Sequence, residues 1–409
     1  MERLGVVGAG TMGAGIAQVA AQAGFSVVLY DVEPRFLQRG QDAIASSLER
    51  AVQRGRLPAD ERDALLHRIQ ATTQFDHLSE CQFVIEAVPE DLGLKEDVFR
   101  RLHAACRPEA LLVSNTSSLS VTEVGRASGR PAQVLGMHFF NPPPAMKLVE
   151  VVRSELAAPE AVETTAEVAR RMGKTPVVCL DTPGFIVNRI ARPYYLEALR
   201  MFGSGLAAIP SIDAALKRAG FPMGPFELMD LIGLDTNFAV TTSVFEQRFF
   251  EQRFRPHLAQ QRLVRAGRLG KKTGGGFYDY STDPPRVALE AAGQEAGPEA
   301  PGPWDRWEHG WIVARVLSAI VNEAYFALGE GVATPEGIDT ALRLGTNYPK
   351  GPIAWGDEVG LGLVVETLLA LEDFYRDGRF APAPRLRTRA QPGEPIPPER
   401  FVDTRLGPG

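Results

Sequence analysis

A short apolar strand, Leu4–Gly5–Val6–Val7, runs straight into Gly8–Ala9–Gly10–Thr11–Met12–Gly13, and this junction constrains the fold more than any other part of the chain. A helix of small residues over 14–23 stops at Gly24, and a second strand over 26–30 ends at Asp31. Strand, G-x-G-x-x-G turn, helix, strand and an acid about 20 residues on form the β-α-β unit of a dinucleotide site. Gly8 permits the tight turn, Gly10 lets the backbone approach a pyrophosphate, and Gly13 lets helix and strand pack closely. The helix N-terminus, opened by Thr11 and Met12, faces the phosphates. Asp31 would accept from both ribose hydroxyls and repel a 2′-phosphate, which favours NAD over NADP. FAD-binding folds share the pattern and are the main competitor.

Further buried strands over 83–87 and 111–114, with a helix over 95–105 between them, argue an α/β protein with a parallel, doubly wound sheet. Ligands of such sheets sit beyond the carboxyl ends of the strands. Residues 86–90 and Asn115–Thr116–Ser117–Ser118 would lie there, although Ser118 and Ser120 read rather as helix caps. Long amphipathic helices over 36–54 and 59–68 form an insertion spanning 34–69. A helix over 159–172 and a strand over 175–180 close a first domain at residue 182.

Two apolar runs, 134–140 and 147–152, flank the breaker Asn141–Pro142–Pro143–Pro144 and read as a hairpin. Centred near Pro144, the hairpin opposes positions that sum to 288, which sets His138 against Glu150. Opposed residues of an antiparallel pair have Cβ atoms roughly 4.5–5.5 Å apart, close enough for an imidazole and a carboxylate to hydrogen-bond. Such a pair suits general-base chemistry. Taken alone, it reads better as a half-buried histidine beside an ordinary surface glutamate.

From Asp181–Thr182–Pro183–Gly184 to about residue 266 the pattern is helical, with helices expected over 185–201, 212–219 and 226–250. The glycine-rich stretch 270–278 follows no buried strand and reads as a terminal loop rather than a phosphate loop. An internal repeat then appears at an offset of 126: Phe185–Ile186–Val187–Asn188–Arg189 matches Trp311–Ile312–Val313–Ala314–Arg315, Glu197 matches Glu323, and Asp213 matches Asp339. After one inserted residue, Gly224–Pro225 matches Gly351–Pro352. The domains are therefore 1–182, an all-α module 183–280, a linker 281–303, a second copy 304–381 and a Pro/Arg-rich tail 382–409. Ala314 replaces Asn188 in the second copy, which suggests that Asn188 serves a site and the second copy serves packing.

Hydrophobic content of 44% and charged content of 23% describe a globular protein. A net charge of −6 without any basic block argues against nucleic-acid or anionic-membrane partners. Cys81, Cys106 and Cys179 lack any C-x-x-C spacing and read as core residues, not disulfide or metal ligands. Without a signal peptide or a long uninterrupted apolar run, a cytoplasmic protein is expected.

With these stretches assembled, the chain resembles the L-3-hydroxyacyl-CoA dehydrogenase family. The blocks that carry the resemblance are Gly8 to Ala17, Ser114 to Ser118, His138–Phe139–Phe140–Asn141–Pro142 and Asp181 to Arg189. The resemblance implies a Rossmann-type NAD-binding domain followed by two tandem all-α domains of the 6-phosphogluconate dehydrogenase C-terminal type. His138 would be the base for the 3-hydroxyl and Glu150 would orient it. Ser117, Asn141 and Asn188 match positions that shape the catalytic and substrate site. Asp31, Glu90, Lys95, Asn115, Ser117 and Asn141 match positions at the cofactor. Ser47 and Arg54, two helical turns apart, fall where the family holds CoA; Lys is frequent at the second, and Arg keeps its charge. Asn188, opening the helical domain, would couple that domain to the site.

Oxidation of a short acyl-CoA such as 3-hydroxybutyryl-CoA is the leading expectation, with an adipyl-type dicarboxyl chain as an alternative. A dehydrogenase of free hydroxy or sugar acids and a non-catalytic NAD-binding protein are the competing readings. Because two-domain relatives pair through their helical domains, the second copy is expected to stand in for a partner's domain within one chain; a homodimer through other faces is also open.

Overall fold

The computed structural model describes residues 2–289 and 310–390, and the chain divides after Phe185 into two units. In the first, fourteen elements alternate in the order β1 (Arg3–Val7), α1 (Thr11–Gln22), β2 (Ser26–Tyr30), α2 (Pro34–Gln53), α3 (Ala59–His67), β3 (Ile69–Thr72), β4 (Phe83–Glu86), α4 (Leu92–Ala105), β5 (Leu111–Ser114), α5 (Val121–Ser128), β6 (Val134–Phe139), β7 (Leu148–Arg153), α6 (Pro159–Arg171) and β8 (Thr175–Leu180). The strands form one sheet in the order β3-β2-β1-β4-β5-β6-β7-β8. β1 to β6 are parallel, β7 runs antiparallel to β6, and β8 is parallel to β7. The order reverses between β1 and β4, the switch point at which doubly wound sheets bind ligands.

The central strands are apolar throughout because helices cover both faces. Leu4, Val6, Val27, Leu29, Phe83, Ile85, Val113, Leu135 and Met137 form one core with Ile16, Ala17 and Ala20 of α1. The three cysteines are buried, and burial pushes the Cys106 thiol up to about 11.

The second unit opens with α7 (Val187–Ile190), α8 (Arg192–Gly203), α9 (Ile209–Arg218), α10 (Pro225–Ile232), α11 (Leu234–Gln247) and α12 (Leu258–Arg265). The single helices expected over 185–201 and 226–250 are each broken in two. Pro193 follows one break; at the other, Gly233 adopts φ +101°, which ends α10. A small hairpin, β9 (Tyr278–Asp279) with β10 (Arg286–Val287), completes the module, and its exposed second strand falls at the start of the expected linker. The remainder of the expected linker lies outside the described residues.

The second copy comprises α13 (Gly310–Gly329), α14 (Pro335–Thr346), α15 (Pro352–Val359), α16 (Leu361–Tyr375) and α17 (Pro384–Arg389). α17 falls in the expected tail, but Leu386 is fully buried and Ala383 N–H donates to Asn322 at 2.7 Å, so this segment belongs to the module. Residues 391–409 lie outside the described residues. α13 has the length and hydropathy of a membrane span, yet most of it is buried in the bundle.

The copies exchange equivalent contacts. Arg189 of the first pairs with Glu323 of the second at 2.6 Å, and Arg315 of the second pairs with Glu197 of the first at 2.8 Å. Phe221 and its counterpart Tyr348 meet each other, ring centroids 4.9 Å apart. Residue i touching j′ while j touches i′ is the signature of a two-fold interface.

Candidate active site

The His138–Glu150 register predicted from the hairpin centre is present. Nδ1 of His138 lies 2.6 Å from Glu150 Oε2, with both residues buried. A carboxylate at that distance fixes the ring proton on Nδ1 and leaves the Nε2 lone pair free to accept. Ser117 Oγ stands 3.2 Å from Nε2. The rings of Phe140 and Phe185, with centroids 4.6 and 5.7 Å away, shield the imidazole.

Ser117 is aimed by a neighbouring carboxylate. Glu90 Oε1 accepts from Thr116 Oγ1 at 2.7 Å, from Ser117 N–H at 2.9 Å and from Ser118 N–H at 3.0 Å, gathering the turn after β5 onto one oxygen. Ser118 Oγ also donates to it, so this serine serves the turn, while Ser120 caps α5. Burial pushes the Glu90 carboxyl up, but Lys95 and these donors outweigh it and hold the group below its ordinary range. Lys95 is fully buried, 2.7 Å from Glu86 and 3.5 Å from Glu90. It therefore reaches the site through these carboxylates rather than from the surface. Glu86 also accepts from Ser114 Oγ at 2.6 Å, and its importance was not read from the sequence. The signal was there: an acid ending an otherwise apolar strand, nine residues before a lysine.

The glycine turn is tight and packed closely against its own helix. Gly8 has φ +101°, and a Cβ there would meet Ala87 O at 2.7 Å; a Cβ on Gly13 would stand 1.8 Å from Gly8 O. A Cβ on Gly10 would meet nothing within 4 Å, and α1 carries no side-chain cap. Open space before uncapped N–H groups fits a pyrophosphate. Asp31 Oδ2 accepts from Ala9 N–H at 2.8 Å, which brings the end of β2 beside the turn. Asn115 Oδ1 accepts from Phe139 N–H at 2.9 Å, tying β5 to β6. Asn141 is exposed just beyond β6. Ser47 is half-buried on α2, and Arg54 is its exposed C-cap, with no side-chain partner among the described residues. Asn188 falls in α7, within the second unit.

This fold and site define a class, and the chain belongs to the 3-hydroxyacyl-CoA dehydrogenase family. The family's NAD-binding domain matches residues 3–182 and its C-terminal domain matches 184–280 and 310–395, once for each helical copy. Among individual relatives, the chain is 40% identical to the 3-hydroxyadipyl-CoA dehydrogenase of Escherichia coli K12, over 95% of this chain and 98% of that one. It is 44% identical to a probable 3-hydroxybutyryl-CoA dehydrogenase of Deinococcus radiodurans, over 68% of this chain and 100% of the relative. The crystal structure of a 3-hydroxybutyryl-CoA dehydrogenase from Escherichia coli K12 superposes with a TM-score of 0.89 at 39% identity, covering 95% of this chain and 98% of that one. The protein is an NAD-dependent oxidoreductase acting on the 3-hydroxyl of a 3-hydroxyacyl-CoA.

Proposed function

We propose that the substrate is a short L-3-hydroxyacyl-CoA with a terminal carboxylate, of the 3-hydroxyadipyl type. The observation that carries the acyl group is the match to the 3-hydroxyadipyl-CoA enzyme along nearly the whole of both chains, second helical copy included. 3-Hydroxybutyryl-CoA is the second reading, favoured by the likeness to the Escherichia coli 3-hydroxybutyryl-CoA dehydrogenase structure along 95% of this chain. Comparing kcat/KM for the two substrates decides. A higher value for 3-hydroxybutyryl-CoA would replace the first reading with the second.

The chemistry rests on His138, whose Nε2 takes the hydroxyl proton while Ser117 Oγ holds the same oxygen. The imidazolium that results is stabilised by Glu150 at 2.6 Å. Bound NAD supplies the acceptor for the C3 hydride. Gly8, Gly10, Thr11, Met12 and Gly13 hold its pyrophosphate and Asp31 its ribose. Asn115, Glu90, Ser117 and Asn141 border the nicotinamide side, with Lys95 behind Glu90. Ser47 and Arg54 take the CoA portion, and Asn188 hydrogen-bonds the substrate. Asn188→Ala with unchanged turnover and substrate affinity would remove it from this set.

The second helical copy stands where a partner's helical domain would sit in a two-domain relative, and the reciprocal Arg189–Glu323 and Arg315–Glu197 pairs support this. We place the reaction in the cytoplasm.

A further inference from the structure

We propose that Lys174 is a positioning residue for the nicotinamide side of the site, acting through the turn that carries Asn141. The inference rests on the dehydrogenase reading and adds a residue that the sequence did not single out. Lys174 lies between α6 and β8, and only 9% of it is exposed. Its ammonium donates to Pro143 O at 2.5 Å and to Met146 O at 2.8 Å, and Thr175 N–H donates to Lys147 O at 2.8 Å. Three consecutive tethers thus fasten one flank of the 141–147 segment. Elsewhere the segment bears on the cofactor helix: the buried Pro143 ring packs on Gly15 of α1 so closely that a Cβ on Gly15 would stand 2.9 Å from Pro143 Cγ. Asn141, Pro142, Pro144 and Ala145 are exposed. The turn is therefore seated by Gly15 and Lys174, and it begins two residues after β6, the strand that carries His138.

A buried ammonium whose acceptors among the described residues are both neutral carbonyls is a poor device for stability. No carboxylate pairs with Lys174 among the described residues, and no charged side chain of α1, α6, β7 or β8 offsets its loss of solvent. Burial alone pushes its pKa down to about 8. A group that binds its proton less tightly when folded weakens the fold while it is charged. The charge is retained for what it holds in place. Deprotonation above pH 8 replaces charge-assisted donation to the two carbonyls by the weaker donation of a neutral amine and loosens the turn beside the cofactor.

The test is Lys174→Met and Lys174→Arg in the full chain, read by NADH binding (fluorescence titration), by KM for NAD against kcat, and by thermal melting. The expected result for K174M is NADH affinity and KM for NAD worse by roughly tenfold, with an unchanged melting temperature and a smaller effect on kcat. K174R is expected to restore binding. A folded K174M with wild-type NADH affinity and KM overturns the proposal, as does a loss of melting temperature with unchanged affinity. If K174M does not fold, wild type and K174R are titrated with NADH on either side of pH 8. Weakening above pH 8 in wild type and not in K174R supports the proposal, and parallel profiles overturn it. NADH binding is measured without substrate, so a wild type that binds NADH but oxidises no 3-hydroxyacyl-CoA would fail the activity reading and leave this result legible.

Discussion

A base that removes an alcohol proton must carry the resulting charge until the product leaves, and in the proposed mechanism Glu150, 2.6 Å from His138 inside the core, would balance it. Glu150→Gln keeps the shape and removes the charge. It is expected to lower kcat by about 10²-fold or more, with NADH affinity unchanged by fluorescence titration. Ser117→Ala is expected to cost less, about 10-fold in kcat/KM, because His138 retains its lone pair. The pairing of His138 with Glu150 was legible because a proline turn fixes register and register fixes who faces whom. Glu86 and Lys174 were not legible: one ends an apolar strand and the other falls between a helix and a strand. Their roles depend on carbonyls and carboxylates delivered by segments distant in sequence.

At the scale of elements, the glycine turn divides into two kinds of position. Gly13→Ala drives a methyl group into Gly8 O and is expected to destabilise the fold by on the order of 1–3 kcal/mol, read as a lower melting temperature. Gly10→Ala meets empty space, so its melting temperature should be that of wild type, while NAD affinity falls at least several-fold because the methyl group occupies the pyrophosphate's approach. Equal melting temperatures for the two variants would contradict this division. The β-α-β unit, the strands of the first unit other than β3, and the repeat were all readable from pattern. β3 was not read, because a half-exposed edge strand of four residues, Ile69–Thr72, lacks the apolar run of its neighbours. α5 and α12, eight residues each, are too short to establish a helical period. The helix break at Gly233 escaped notice because apolar residues continue on both sides of it.

Across the whole molecule, the offset of 126 that revealed the duplication also names the partners in the bundle, since Arg189 and Arg315 reach for each other's counterpart glutamates. Burial pushes the Glu197 carboxyl up, but Arg200, Arg315 and Arg379 together hold it at about 2. Glu330, beside Arg189 and Arg248, is likewise held at about 2 against an ordinary value of 4.5. The contribution of these groups is complete above about pH 4.5 and is lost as the pH falls towards 2. Acidification through that window is expected to loosen the helical copies from each other, detectable as faster amide exchange in α8 and α13. Unchanged exchange would show that the pairs do not hold the copies together. If the second copy replaces a partner, a chain ending after Tyr280 should self-associate in light scattering, and a stable truncated monomer would refute the substitution.

The central claim is that His138 is the base of an NAD-dependent 3-hydroxyacyl-CoA dehydrogenase. The measurement that tests it most directly is NADH formation from an L-3-hydroxyacyl-CoA by wild type and His138→Gln, with NADH affinity measured alongside. The account predicts turnover in wild type, a loss of about 10²–10⁴-fold in the variant and equal NADH affinity in both. A His138→Gln protein that forms NADH at the wild-type rate would contradict it.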